Sequence, residues 1–211
     1  RGGPRHDRVL PHTDRHRAMT TSLRMPTFFV VLLTLATCGQ YQQVKQGATS
    51  VGTMSVTAKA PIWNKVPPGH APGGLPTWTV DGVTLNSLSF VSGIEDGKPL
   101  VAEHSKTPYP VFRSDMLPNE IAELVQSTCA RLFGATITKT GELRPLTIAG
   151  QPGFELDFEF VTDDEVIRRG FVGGTVKDGK LQAVLYQAAR MHYFAKDLDA
   201  ARELIVTAQL P

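Results

Sequence analysis

Four stretches of this chain hold side chains that could do chemistry. His104-Ser105, with Asp115 further on, supplies the residue types of a Ser-His-Asp hydrolase: base, nucleophile and orienting carboxylate. No G-x-S-x-G elbow presents a serine, and such triples arise by chance in a chain of this length, so no catalytic residue is assigned. Glu155, Asp157 and Glu159 alternate with Phe154, Leu156, Phe158 and Phe160. That spacing puts the three carboxylates on one face of a strand, as a solvated row with cationic partners. If Asp163-Asp164 is a two-residue loop, Glu159 faces Arg168. Residues 174–180 read Gly-Thr-Val-Lys-Asp-Gly-Lys, the Walker A spacing up to Lys180. Leu181 stands where a Mg²⁺-binding hydroxyl belongs, and the stretch lies between strands rather than leading into a helix. Arg190-Met191-His192-Tyr193-Phe194 joins the last strand to the last helix. Its cation and aromatic rings fill that junction as snorkelling and packing groups.

Metal and thiol chemistry are no better supplied. His70, His104 and His192 are far apart, without H-x-H or H-E-x-x-H spacing, and the two cysteines cannot build a Cys-based zinc site. No metal and no cofactor is expected. Cys129 follows Val125 by four residues, beside an apolar helical stripe, and is read as a buried, inert thiol rather than a nucleophile.

Charge separates the chain into two parts. Residues 1–37 carry six Arg against two Asp, whereas residues 38–211 carry 16 basic and 18 acidic side chains. A body so close to neutral has no electrostatic pull toward nucleic acid. Residues 1–18 are Arg- and His-rich with little apolar content. Because Met19 opens an organised segment, they are expected to be an extension outside the native protein.

From Met19 the order is a short n-region with Arg24, an apolar run Phe28–Leu35, small residues Ala36 and Thr37, then Cys38. This is the layout of a secretory signal, too short to span a bilayer. Met19 or Met25 is the start. Leu35-Ala36-Thr37-Cys38 resembles the lipobox of bacterial lipoproteins, in which the Cys becomes the acylated N-terminus. The resemblance implies lipidation of Cys38 and a membrane partner reached through that anchor. It also implies a place in the cell envelope facing the periplasm, with outer-membrane sorting because Gly39 is not the aspartate of inner-membrane retention. Thr37 departs from the Gly, Ala or Ser usual in that family. The alternative is signal-peptidase cleavage after Ala36.

The rest must supply the elements. With 211 residues and 41% hydrophobic content, the chain allows one ordinary domain or two small ones. Residues 38–50 are polar and aperiodic, and are expected to tether the lipidated Cys38 to a single domain over 51–211. Residues 51–65 hold a first strand, and VPPGHAPGGLP is loop. Asp81-Gly82, Asp96-Gly97 and Asp178-Gly179 suit type I′ hairpin turns, the first joining Trp78–Val80 to Val83–Val91. Residues 118–133 form a helix with Ile121, Leu124, Val125, Thr128 and Leu132 on one face, Pro118 in its first turn and Gly134 after its end. Strands follow within 135–146, over 151–161, 166–176 and 181–188. The last pair is apolar on both faces, so the sheet is covered on both sides. A second helix over about 196–208 turns Leu198, Ala201 and Ile205 inward.

This element order, with an early Trp, resembles the PsbP-like α/β/α sandwich, named after an extrinsic photosystem II subunit. It implies an α+β fold with a mostly antiparallel sheet and two packed helices. Members of that fold are mostly binding or assembly factors, and no functional residues carry over. The expectation is a lipid-anchored envelope protein that binds rather than catalyses. A small envelope hydrolase using His104 or His192 is the alternative.

Overall fold

Strong alternation over residues 151–189 builds the centre of the protein. In the computed structural model, which describes residues 39–102 and 107–211, three long strands run here: β9 (Gln151–Val161), β10 (Ile167–Lys177) and β11 (Lys180–Ala189). Asp178 and Gly179 close the β10–β11 hairpin with φ of 50° and 72°, the double positive φ a type I′ turn needs.

Ahead of them lie β1 (Gln42–Gln43), β2 (Gly47–Val51), β3 (Met54–Ala58), β4 (Asn64–Lys65), β5 (Thr77–Thr79) and β6 (Asn86–Ile94). Helix α1 spans Pro118–Leu132, followed by β7 (Thr136–Thr140) and β8 (Arg144–Ile148), and α2 (Tyr193–Val206) comes last. The main sheet runs β1-β4-β5-β6-β11-β10-β9-β7, with β8 also on β9, and every pairing is antiparallel. Strands β2 and β3 form a separate hairpin.

The sheet separates two cores. On one face Phe90, Phe171, Val184 and Tyr186 pack with Phe194, Ala201, Leu204 and Ile205 of α2 and with Met54 and Val56 of the hairpin. On the other, Val172, Leu181, Leu185 and the phenylalanines of β9 pack with Ile121, Val125 and Cys129 of α1. Strand β11 is buried on both faces, as its continuous apolar run requires. Gly170 is required by close approach: a Cβ there would lie 2.3 Å from Phe158 Cζ. Pro118 opens α1, and Glu120 accepts from the Leu117 N–H at 2.7 Å, satisfying one orphan donor.

Several expectations need correction. Within the stretch read as tether, Gln42–Gln43 and the first four residues of Gly47–Val51 are strand, and Val44 between them is buried. Their polar side chains point outward while their backbone pairs, so composition concealed them. Asp81-Gly82 and Asp96-Gly97 are not type I′ turns, since only the glycine of each has positive φ. The first opens a longer turn, Leu85 N–H and Asn86 N–H both donating to Gly82 O, so β6 begins at Asn86 rather than Val83. The β9–β10 loop spans residues 162–166, with Glu165 at φ 61°. The longer loop shifts the register by one, so Glu159 faces Arg169 and Arg168 faces Phe160. Helix α2 starts three residues early, because Phe194 is buried and anchors its first turn.

Candidate functional site

The proline-rich segment before β5 shapes a groove. Pro68–His70 and Pro72–Gly74 each make one 3₁₀ turn, fixed by proline at the start. Together with β4, the start of β5 and the end of β2, these turns enclose about 480 Å³. Val51, Val66, Leu75 and Trp78 give it an apolar lining. Trp78 is held edge-on to Phe90, ring centres 4.8 Å apart. Lys65 also lines the groove and has no ion-pair partner among the described residues. Gly39 and Gln40 form part of its wall, and a Cβ on Gly39 would meet Pro67 Cβ at 2.8 Å. An apolar recess with few polar groups is the usual form of a ligand or partner site.

A second cluster, of polar groups, lies where α2 leaves the sheet. Asn86 is fully buried. Its Oδ1 accepts from Thr79 Oγ1 at 2.7 Å and from the Val80 and Asp81 N–H groups at 3.0 and 3.3 Å. Its Nδ2 donates to Asp81 Oδ2 at 2.8 Å and Asp197 Oδ2 at 3.2 Å. Lys196 donates to both oxygens of Asp81, at 2.8 and 2.7 Å. Burial holds the Asp197 carboxyl above the ordinary aspartate range, Lys196 opposing this and Asp81 adding to it, with His192 also opposing. Burial, with Asp197 and Asp81 nearby, likewise raises the Tyr186 phenol, which donates to Tyr193 O at 2.9 Å.

Asp197 therefore binds its proton more tightly in the folded state than in the unfolded chain. Its contribution to stability is present in acid and is lost as pH rises through its folded pKa. Asp197→Asn keeps an acceptor for Asn86 and removes that titration. The variant is expected to hold or gain stability at neutral pH relative to wild type. It is also expected to lose part of the decline between the unfolded and folded aspartate pKa values. Urea unfolding across that window decides it: a variant whose advantage does not grow with pH would contradict the buried carboxylate.

The carboxylate row on β9 faces the α2 side, as its alternation required. It is mostly buried rather than solvated, and arginines from β8, β10, α2 and the turn before α2 meet it. Arg144 binds Glu155 at 2.7 Å and Asp157 at 3.1 Å. Arg202 of α2 reaches the same two at 3.5 and 3.4 Å, while Arg169 and Arg190 approach Glu159 at 3.8 and 3.7 Å. Arg169 also lies over the Phe194 ring, 4.5 Å from its centre. Four arginines thus meet three carboxylates, and the ladder fastens β8, β10 and α2 to β9.

The other sequence motifs separate. Cys38, His104 and Ser105 lie outside the described residues, and Asp115 pairs with Arg113 at 3.1 Å. His192 is exposed, at φ 70°, with its ring edge-on to Tyr193 at 5.1 Å. Cys129 is buried, and burial pushes its thiol up to about 12, so it is not a nucleophile at neutral pH. Lys180 pairs with Glu95 at 3.0 Å beside a tight hairpin, not a phosphate cradle. Among the described residues no group of His, Cys, Asp and Glu is gathered for a metal, and no helix is long and apolar enough to cross a membrane. The Asn86–Asp197 network was not foreseen, since its members lie 111 positions apart with no motif between them.

Neither a known protein family nor a curated protein matches the chain. Among solved structures it is similar to the solution structure of cyanobacterial PsbP, CyanoP, from Synechocystis sp. PCC 6803. The TM-score is 0.51 at 13% identity, over 82% of this chain and 94% of that one. The fold is PsbP-like. LpqN of Mycobacterium tuberculosis, described as involved in cell envelope biogenesis, superposes with a TM-score of 0.44 at 12% identity, over 82% of this chain and 91% of that one. The PsbP-like fold agrees with the two helices, the antiparallel sheet and the α/β/α layering implied by element order, and at these identities it fixes architecture alone.

Proposed function

We propose that this chain is a lipid-anchored cell-envelope protein that works by binding, with the groove at Trp78 as its contact site. The supporting observation is position: the groove wall begins at Gly39, the residue after the proposed lipidation site Cys38. Adjacent Cα atoms are ~3.8 Å apart, so an acylated Cys38 would hold the groove close to the bilayer surface. Several acyl chains, at ~0.8 kcal/mol per buried CH₂, anchor firmly where a single chain would not. The hydrolase alternative has little to work with in His192, which is exposed, stands edge-on to the Tyr193 ring and forms no hydrogen bond or ion pair with a carboxylate or hydroxyl among the described residues, although its charge acts on Asp197.

Anchor and groove are tested separately. Cys38→Ala is expected to abolish palmitate labelling and to leave the protein soluble or as unprocessed precursor. Unchanged labelling and membrane fractionation would overturn the anchor. For the groove, the folded protein is expected to enhance ANS fluorescence, and Ala71→Glu, on the groove wall and outside both cores, to abolish the enhancement. Equal enhancement in the variant would remove the groove as the binding site.

A further inference from the structure

At the end of the sheet where α1 stops, a recess of about 360 Å³ opens between Phe133, the Val83–Thr84 turn, the β9–β10 loop and the neighbouring ends of β10 and β11. Gln187 lines it and is only 4% exposed. Its Nε2 donates to Ser87 Oγ at 2.7 Å, but its Oε1 is buried and accepts no hydrogen bond. A buried acceptor without a donor is costly, which makes it a mark of an intended partner.

The same recess holds an unmatched charge. Asp163 lines it and belongs to no ion pair among the described residues. It abuts the C-terminal end of α1, where a Cβ on Gly134 would lie 3.1 Å from Asp163 Oδ2. That end of a helix carries partial negative charge, which adds to the attraction of the exposed Asp163 carboxylate for a cation. Neither nearby base pairs with Asp163, although Arg168 itself lines the recess. Arg131, the base in the last turn of α1, donates to Pro108 O. Arg168 donates to Thr84 O at 2.8 Å and its charge acts on Asp164, which accepts from Thr162 Oγ1 and the Val166 N–H.

We propose that this recess binds a primary alkylammonium group. The ammonium, with three donors and a positive charge, satisfies Gln187 Oε1 and compensates Asp163, while the alkyl stem lies along Phe133 and Val83. A lysine side chain of a polypeptide and a free diamine share this chemistry, and probes tell them apart.

The test uses the full chain in detergent micelles, isotope-labelled to observe the Gln187 side-chain amide. It is titrated with Nα-acetyl-lysine methylamide, its norleucine analogue, and cadaverine. The lysine probe or cadaverine is expected to shift the Gln187 amide with a dissociation constant of about 1 mM. The norleucine probe is expected to leave it unmoved. Asp163→Asn, an exposed loop change that spares the core, should weaken binding about tenfold. Asp178→Asn, at the opposite end of the β10–β11 hairpin, should not. Tighter binding of the lysine probe assigns the site to a polypeptide lysine, and tighter binding of cadaverine to a free diamine. Norleucine binding as strong as lysine binding would overturn the proposal. So would a Gln187 amide unmoved by both amines, or undiminished affinity in Asp163→Asn.

Discussion

Asn86→Ala is expected to destabilise the protein by about 4 kcal/mol, the largest effect anticipated from one polar substitution here. The amide joins Thr79, Val80, Asp81 and Asp197 through five hydrogen bonds at a fully buried position. Alanine would strand two backbone N–H groups, and would leave two neighbouring carboxylates without the donor they share. Each unmet buried group costs on the order of 1–3 kcal/mol, and more where charge is involved. Because part of the loss comes through Asp197, Asn86→Ala and Asp197→Asn should not add. A coupling of ~1 kcal/mol or more in a double-mutant cycle, read by urea unfolding, is the expected sign. A loss for Asn86→Ala below about 1.5 kcal/mol would mean that water already satisfies these groups.

Phe171→Ala should cost a similar amount, about 4 kcal/mol, by a different mechanism. Phe171 is fully buried on the α2 face of β10, and the Arg202 guanidinium lies 5.1 Å from its ring centre. Removing the ring opens a cavity under α2 and takes the apolar support from the arginine that holds Glu155 and Asp157. A domain of this size should lose roughly 8–16 °C in Tm. Phe171→Leu fills most of the space and should lose about half as much or less. If both variants melt together, the ring is not packed as described.

These two residues also mark where sequence reasoning works and where it stops. Phe171 was legible: its alternation with Val172 placed it on a buried strand face, and local periodicity gave α1 and β9–β11 nearly to their ends. The inert Cys129 followed from the same helical stripe. Asn86 was not legible, because its partners come from a preceding strand and a distant helix and no short-range spacing encodes them. Strands β1 and β2 were hidden for another reason, since backbone pairing binds them while their side chains remain polar. The partner of Glu159 was misplaced by one residue because Glu165 takes a positive φ that residue type does not announce. As for the proposed binding site, the proline-rich loop was recognised, but the groove it makes with β2 and β4 depends on tertiary assembly.

The carboxyl end of the chain completes what its beginning starts. Ser55 on β3 and Gln209, beyond α2, exchange backbone hydrogen bonds at 2.9 and 2.7 Å, while Met54 and Val56 share a core with Leu204 and Ile205. Strand β6 likewise finds its main partner only in β11. The β2–β3 hairpin is made well before β10, β11 and α2, and its core is incomplete until they join it. Contacts this distant in sequence make folding slow and late. The domain therefore stays open until α2 is available, and closes late.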